Sequence, residues 1–220
     1  MELNNLVIIT SCLETKYSDN VFTIEERYNQ TLNTIESINK YMKNTLILFI
    51  EASNCNNIYK DNIKNMCDYY YDISTDNDTI NYCINGHKSL GDTYITLKAI
   101  DYIQNNNIQY NISYKLSARY YLESNFNYDL IDKQIPTFKD SYHAPGEAII
   151  TCFYAIPFNY LDEYKINIIN TFEFMKINTN IPVEYYFPNL FKIKKLILWD
   201  EKIGIYGIVA PCSNRITQIW

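Results

Sequence analysis

The sequence predicts a doubly wound α/β domain, a mainly parallel sheet with helices on both faces. Three observations carry this prediction. Short apolar runs recur where strands buried on both faces are expected, segments with helical apolar spacing separate them, and the two alternate from the N-terminus to about residue 122. Sheets of this kind are joined by right-handed crossovers and carry function at the carboxyl ends of their strands.

The first core strand is Leu6 to Ser11, "LVIITS". Behind it Thr23 and Glu26 have capping-box spacing, and Ile24, Tyr28, Thr31, Leu32, Ile35 and Ile38 recur at helical spacing up to about Lys43. A second strand follows over Thr45 to Ala52, a short helix around Ile58 to Met66, and a third strand over Tyr69 to Ile73. A helix from Ser89 to Gln104 and a fourth strand over Tyr110 to Leu116 complete the regular part. Beyond Leu122 the pattern loosens, with strands near Ile149 to Ala155, Lys195 to Trp199 and Gly204 to Ala210 and a helix near Leu161 to Lys176. No Pro, Gly or Ser linker divides the chain, so residues 1–220 are read as one domain with two functional halves, about 1–122 and 123–220.

Composition narrows the function. With 47% hydrophobic and 20% charged residues the chain can build a core. Its net charge is -6 and its longest basic cluster is the "KIKK" around Lys194, so the footprint of a nucleic-acid partner is missing. Apolar stretches such as Ala148 to Ile156 fall far short of the roughly 20 residues of a membrane span. Leu6 to Thr10 is likewise too short for a signal-peptide core, so a cytoplasmic protein is expected. Six cysteines without a C-x-x-C pair, and two histidines, signal neither a zinc site nor a redox pair; buried, reduced thiols are expected.

Four features carry chemistry. The first helix holds Arg27 ("TIEERYNQTLNTIESI"), and Glu51 closes the second strand ("LILFIEAS"). A Gly/Lys loop with Lys88 opens a long helix ("NGHKSLGDTYITLKAI"), and "YKLSARYYL" ends the fourth strand. Over about the first 130 residues this order resembles glycosyltransferases of the GT-A fold. It is most similar to the small lipopolysaccharide-type and large-virus glycosyltransferase-like proteins, in which a strand like K-[IL]-[ST]-G-R-Y replaces the usual D-x-D; here Ala118 stands where glycine is usual. Abundant Asn, Ile, Tyr and Lys, as AT-rich codons produce, fit a large DNA virus or an AT-rich microbe, and a viral protein of this kind would work in the host cytoplasm.

The resemblance implies a hexosyltransferase-type enzyme that moves a sugar from a nucleotide-diphosphate donor, a UDP-sugar foremost, to a glycan or other hydroxyl acceptor. Ser11, Arg27, Glu51, Lys88, Lys115, Ser117 and Arg119 are the implied donor-binding residues. A diphosphate leaving group needs either a divalent metal on carboxylates or fixed cations. Lys115 and Arg119, placed where a metal motif would sit, favour cations, so no cofactor is required on this reading. Asp76-Asn77-Asp78, after the third strand, is the fallback for manganese or magnesium and equally suits a solvated turn.

In the second half, "SYHAPGEAIITCFYAIP" offers His143 as an acceptor contact and Glu147, after Pro145-Gly146, as first choice of general base. Glu184 in "IPVEYYFP" is the second choice. Two other classes stay open: a catalytically degenerate sugar-nucleotide-binding or scaffold domain, and a sugar-phosphate nucleotidyltransferase. Against the latter, "SCLETKYSDNVF" lacks the glycines of such an enzyme's first loop.

Overall fold

A computed structural model describes residues 3–16, 21–141, 144–178, 181–209 and 216–219. The chain alternates as its apolar pattern requires: β1 (Asn5–Ser11), α1 (Ile24–Tyr41), β2 (Thr45–Glu51), α2 (Asn57–Lys64), β3 (Tyr69–Asp72), α3 (Asn77–Thr79), a π-turn (Ile80–Ile84), α4 (Lys88–Asn105) and β4 (Ile112–Ser117). Of these, α3 and the π-turn were not expected; the other seven were, with ends moved by one or two residues. There follow β5 (Tyr120–Leu122), β6 (Thr137–Asp140), β7 (Ile149–Pro157), α5 (Leu161–Ile177), α6 (Val183–Tyr186), β8 (Lys195–Ile197), β9 (Ile205–Val209) and β10 (Ile216–Ile219). Of these, β7, β8, β9 and α5 were expected, whereas β5, β6, β10 and α6 were not.

Seven strands form the main sheet in the order β3-β2-β1-β4-β7-β6-β8, and β10-β9-β5 form a second sheet. β3, β2, β1 and β4 run parallel, and β7 pairs antiparallel with β4. Strand β1 shows why its run is uninterrupted: Leu6 and Ile8 pack with α4 and α5, while Val7 and Ile9 pack with α1 and α2. Each fully buried aliphatic side chain contributes about 1.5–3 kcal/mol. A one-residue slip would exchange the two packed faces, so the register is fixed from both sides. Among the described residues no helix is long and apolar enough to cross a membrane.

The winding places a site. From β1 the chain passes to β2 and then β3 on one side; α4 then carries it back over the sheet to β4 on the other side of β1. The carboxyl edge between β1 and β4 is therefore the switch point of the sheet, where a crevice opens because successive crossovers depart in opposite directions.

Candidate functional site

Three cations meet at that edge. Arg27, in the second turn of α1, donates from Nη1 to the Cys12 carbonyl at 3.2 Å. Burial, and next the charge of Arg119, push its guanidinium down to about 10. Lys88 is the first residue of α4 and remains open to solvent. Its ammonium is nonetheless lowered, first by the protein bulk around it and then by Arg119, while Glu184 and Asp92 act in the other direction. Arg119 occupies the turn between β4 and β5, its guanidinium 5.8 Å from the Phe22 ring and 5.9 Å from that of Tyr120. Among the described residues no carboxylate forms an ion pair with Lys88 or Arg119.

This assembly is built by local structure. The capping box forms as expected, with Glu26 N–H donating to Thr23 Oγ1 and Thr23 N–H to Glu26 Oε2, which starts α1 three residues before Arg27. Further along the helix, Thr34 Oγ1 donates to the Ala118 carbonyl at 3.1 Å and Ser37 Oγ accepts from Leu122 N–H at 3.0 Å. One helix thus carries Arg27 and pins the corner that carries Arg119. On the far side of that corner Gly207 lies against Tyr120, where a Cβ would stand 2.1 Å from the ring. Only a glycine lets the ring occupy that place beside Arg119. The loop after β1 is tied down too, by Lys16 N–H donating to the Ile84 carbonyl at the end of the π-turn.

Lys115 and Arg119, adjacent in the sequence reading, are separated by a bend after Ser117. Lys115 is 1% exposed and its Nζ is surrounded by Asp92 Oδ1 (2.9 Å), Asp92 Oδ2 (2.8 Å), Ser117 Oγ (2.9 Å) and the Thr151 carbonyl (2.9 Å). Its charge is spent inside the protein, and Ser117 is one of its acceptors. Asp92, which sequence reasoning missed, also accepts from Thr10 Oγ1 at 3.1 Å. Its only signal in the sequence was a carboxylate one helical turn after Lys88, an ordinary helix pattern.

Glu51 is 0% exposed. Its Oε1 accepts from Leu13 N–H (3.2 Å), Ser53 N–H (2.7 Å) and the Ser53 hydroxyl, so it binds together the loops that follow β1 and β2. Burial pushes its carboxyl above the usual range. Ser11, its register partner, has a buried hydroxyl beside that carboxyl and works against the effect of burial on it.

Of the two carboxylates from the second half, Glu184 on α6 is joined to the site: its Oε1 accepts from Thr151 Oγ1 at 2.9 Å, and its charge acts on Lys88, Tyr120 and Cys152. Glu147 lies on the exposed turn between β6 and β7, beside a small pocket lined by Asp140, Asn189 and Lys194, and is not among the charges that act on Lys88. His143 lies outside the described residues. Asp76 caps α3 by accepting from Asp78 N–H at 3.0 Å, and its other oxygen is engaged by Lys98 (3.0 Å) and Tyr94 OH (3.0 Å). Asp78 is exposed beside it. Among the described residues no three His, Cys, Asp or Glu side chains are grouped to hold a metal.

Fold and site together define a GT-A-like α/β domain with cations gathered at the switch point of its sheet. Among solved structures it is similar to the glycosyltransferase GlyE of Streptococcus pneumoniae TIGR4, with a TM-score of 0.54 at 10% identity over 89% of this chain and 45% of that one. The chain therefore spans less than half the length of that enzyme. Weaker likenesses are to a glycosyltransferase involved in the glycosylation of the major capsid of PBCV-1 (TM-score 0.47, 12% identity, 88% of this chain and 81% of that) and to the nucleoside-diphosphate-sugar pyrophosphorylase from Vibrio cholerae RC9 (0.48, 10%, 86% and 91%). No family model matches the sequence, and no curated protein matches it. At these identities the likeness concerns the fold.

Proposed function

We propose that the chain is a glycosyltransferase that takes a sugar from a nucleoside-diphosphate donor, a UDP-sugar foremost, and passes it to a glycan or other hydroxyl acceptor. One observation carries the reading: Lys88 and Arg119 converge with Arg27 at the switch point, and no carboxylate among the described residues pairs with the first two. Gathering like charges is costly unless an anion repays it. A diphosphate does so, and its charge grows as the sugar leaves, so cations already in place stabilise the transition state more than the ground state.

On this reading Arg119, held between two rings, presents its planar fork to the phosphates. Lys88 acts together with the positive end of the α4 dipole, whose first turn His87 caps by accepting from Ser89 N–H. The nucleoside lies over the ends of β1 and β2, where Glu51, with Ser11 beside it, shapes the loops. No divalent metal is needed. Asp76, the fallback ligand, already serves Lys98 and the α3 cap.

Glu184 is the general base in this scheme, ahead of Glu147. The acceptor hydroxyl oxygen attacks the anomeric carbon, its proton passes to Glu184, and the bond to the diphosphate oxygen breaks with its electron pair leaving on the phosphate, which inverts the anomeric centre. Residues from about 123 onward supply the acceptor side.

The test is a thermal-shift panel of UDP- and GDP-sugars on the whole chain, with EDTA and with manganese, followed by measurement of nucleoside diphosphate released with and without sugar acceptors. A rise in melting temperature that survives EDTA, with release, supports the proposal. Binding without release would instead make the chain a sugar-nucleotide-binding domain, and no binding at all would remove the reading.

A further inference from the structure

Asp92 has no role in the scheme above, yet polar contacts from both sides of the crevice converge on it. It lies on α4 one turn beyond Lys88, and its side chain is 29% exposed while its buried partner Lys115 is 1% exposed. Lys115 Nζ donates to both oxygens and Thr10 Oγ1 to Oδ1, so Oδ1 takes two donors and Oδ2 one. A carboxylate oxygen accepts about two hydrogen bonds, which leaves Oδ2 with capacity. The carboxylate is not enclosed with the lysine that it neutralises but stays partly open.

Its surroundings locate the opening. The charges of Asp92 and Glu184 act on the same three groups, Lys88, Tyr120 and Cys152. The two carboxylates are also linked through the protein: Asp92 to Lys115, Lys115 to the Thr151 carbonyl, and the Thr151 hydroxyl to Glu184. Both stand within electrostatic reach of Lys88, one of the cations assigned to the diphosphate.

We propose that Asp92 reads the donor's sugar, with Oδ2 accepting a hydrogen bond from a ring hydroxyl while Lys115 and Thr10 fix the carboxylate's orientation. This rests on the sugar-nucleotide reading and adds a specificity-determining residue to it. A carboxylate repels phosphate but accepts well from neutral hydroxyls, so its partner is the part of the donor beyond the diphosphate. Epimers that move the hydroxyl away lose this hydrogen bond and bind less well.

The experiment measures calorimetric affinities of the whole chain for UDP, UDP-glucose, UDP-galactose and UDP-N-acetylglucosamine. Wild type is compared with Asp92→Asn and with the double variant Asp92→Asn/Lys115→Gln, which removes both charges so that no buried lysine is stranded. UDP affinity is expected to stay within about twofold, the best sugar donor to lose about tenfold or more, and the preference among sugars to narrow in both variants. Equal losses for UDP and its sugars, or no loss, would assign Asp92 to the support of Lys115 and overturn the proposal. A wild-type chain that binds neither UDP nor any of these sugars would remove the underlying reading instead.

Discussion

Thr34 on α1 shares its hydroxyl proton between the Gln30 carbonyl of its own helix, at 3.0 Å, and the carbonyl of Ala118, 3.1 Å away and 84 residues later in the chain, at the corner where β4 gives way to the turn bearing Arg119. Thr34→Val keeps the shape and removes the donor. It should cost about 0.5–1.5 kcal/mol, the net worth of one hydrogen bond, and should weaken donor binding although no ligand contact is touched. Urea unfolding and titration with a nucleotide sugar check both effects; unchanged stability would show that the corner is held by packing alone.

Arg119 itself is predicted to be worth about 1.5–3 kcal/mol of donor affinity, the range for charge-assisted hydrogen bonds, read from Arg119→Ala by calorimetry. Arg119→Lys should recover only part of it, because lysine restores the charge but not the flat group between Phe22 and Tyr120. Binding should persist in EDTA. Affinity lost to the chelator and restored by manganese would return Asp76 and Asp78 to the role of ligands.

For catalysis, Glu184→Gln should leave donor affinity nearly intact and lower turnover by about a hundredfold or more, the usual contribution of a general base. Glu147→Gln should change turnover by less than about threefold, well below that contribution. Steady-state release of nucleoside diphosphate distinguishes them, and the reverse pattern would make Glu147 the base.

A pH effect follows from Glu51. Burial holds its carboxyl above the ordinary value of 4.5, so between 4.5 and the native value the folded state binds more protons than the unfolded state. Its contribution to stability is complete below 4.5 and is lost as pH rises through the native value. Glu51→Gln, still able to accept from Leu13 and Ser53, should therefore be more stable than wild type at pH 7 and lose this advantage toward pH 4. Thermal melts across that range give the difference directly; a difference that does not change with pH would mean that the fold leaves the titration of Glu51 unshifted.

The first half of the fold was legible because strands buried on both faces leave an uninterrupted apolar record, as β1 and β2 do. β5 and β6 were not, since three or four residues are too few to establish a period, and β5 draws its order from Ser37 and Gly207 far along the chain. The site was legible where position in an element decides, as for Lys88 at a helix start. It was hidden where partners decide. Lys115 looks like a free cation beside Arg119 until Asp92, 23 residues earlier, is seen to enclose it. Glu184 gains its place from Thr151, 33 residues away, a contact that no spacing within α6 announces.

The ring of Tyr120 resting on Gly207 has a consequence for biogenesis. Chains fold as they emerge during synthesis, and the parallel core from β1 to β4 is made first. Tyr120 is then present without the strand against which it lies, so Arg119 lacks one of its two flanking rings until β9 has been synthesised and docked. A nascent chain released before that strand would contain Arg27, Lys88 and Arg119 yet should hold a diphosphate poorly, so that competence to bind donor is acquired late in translation.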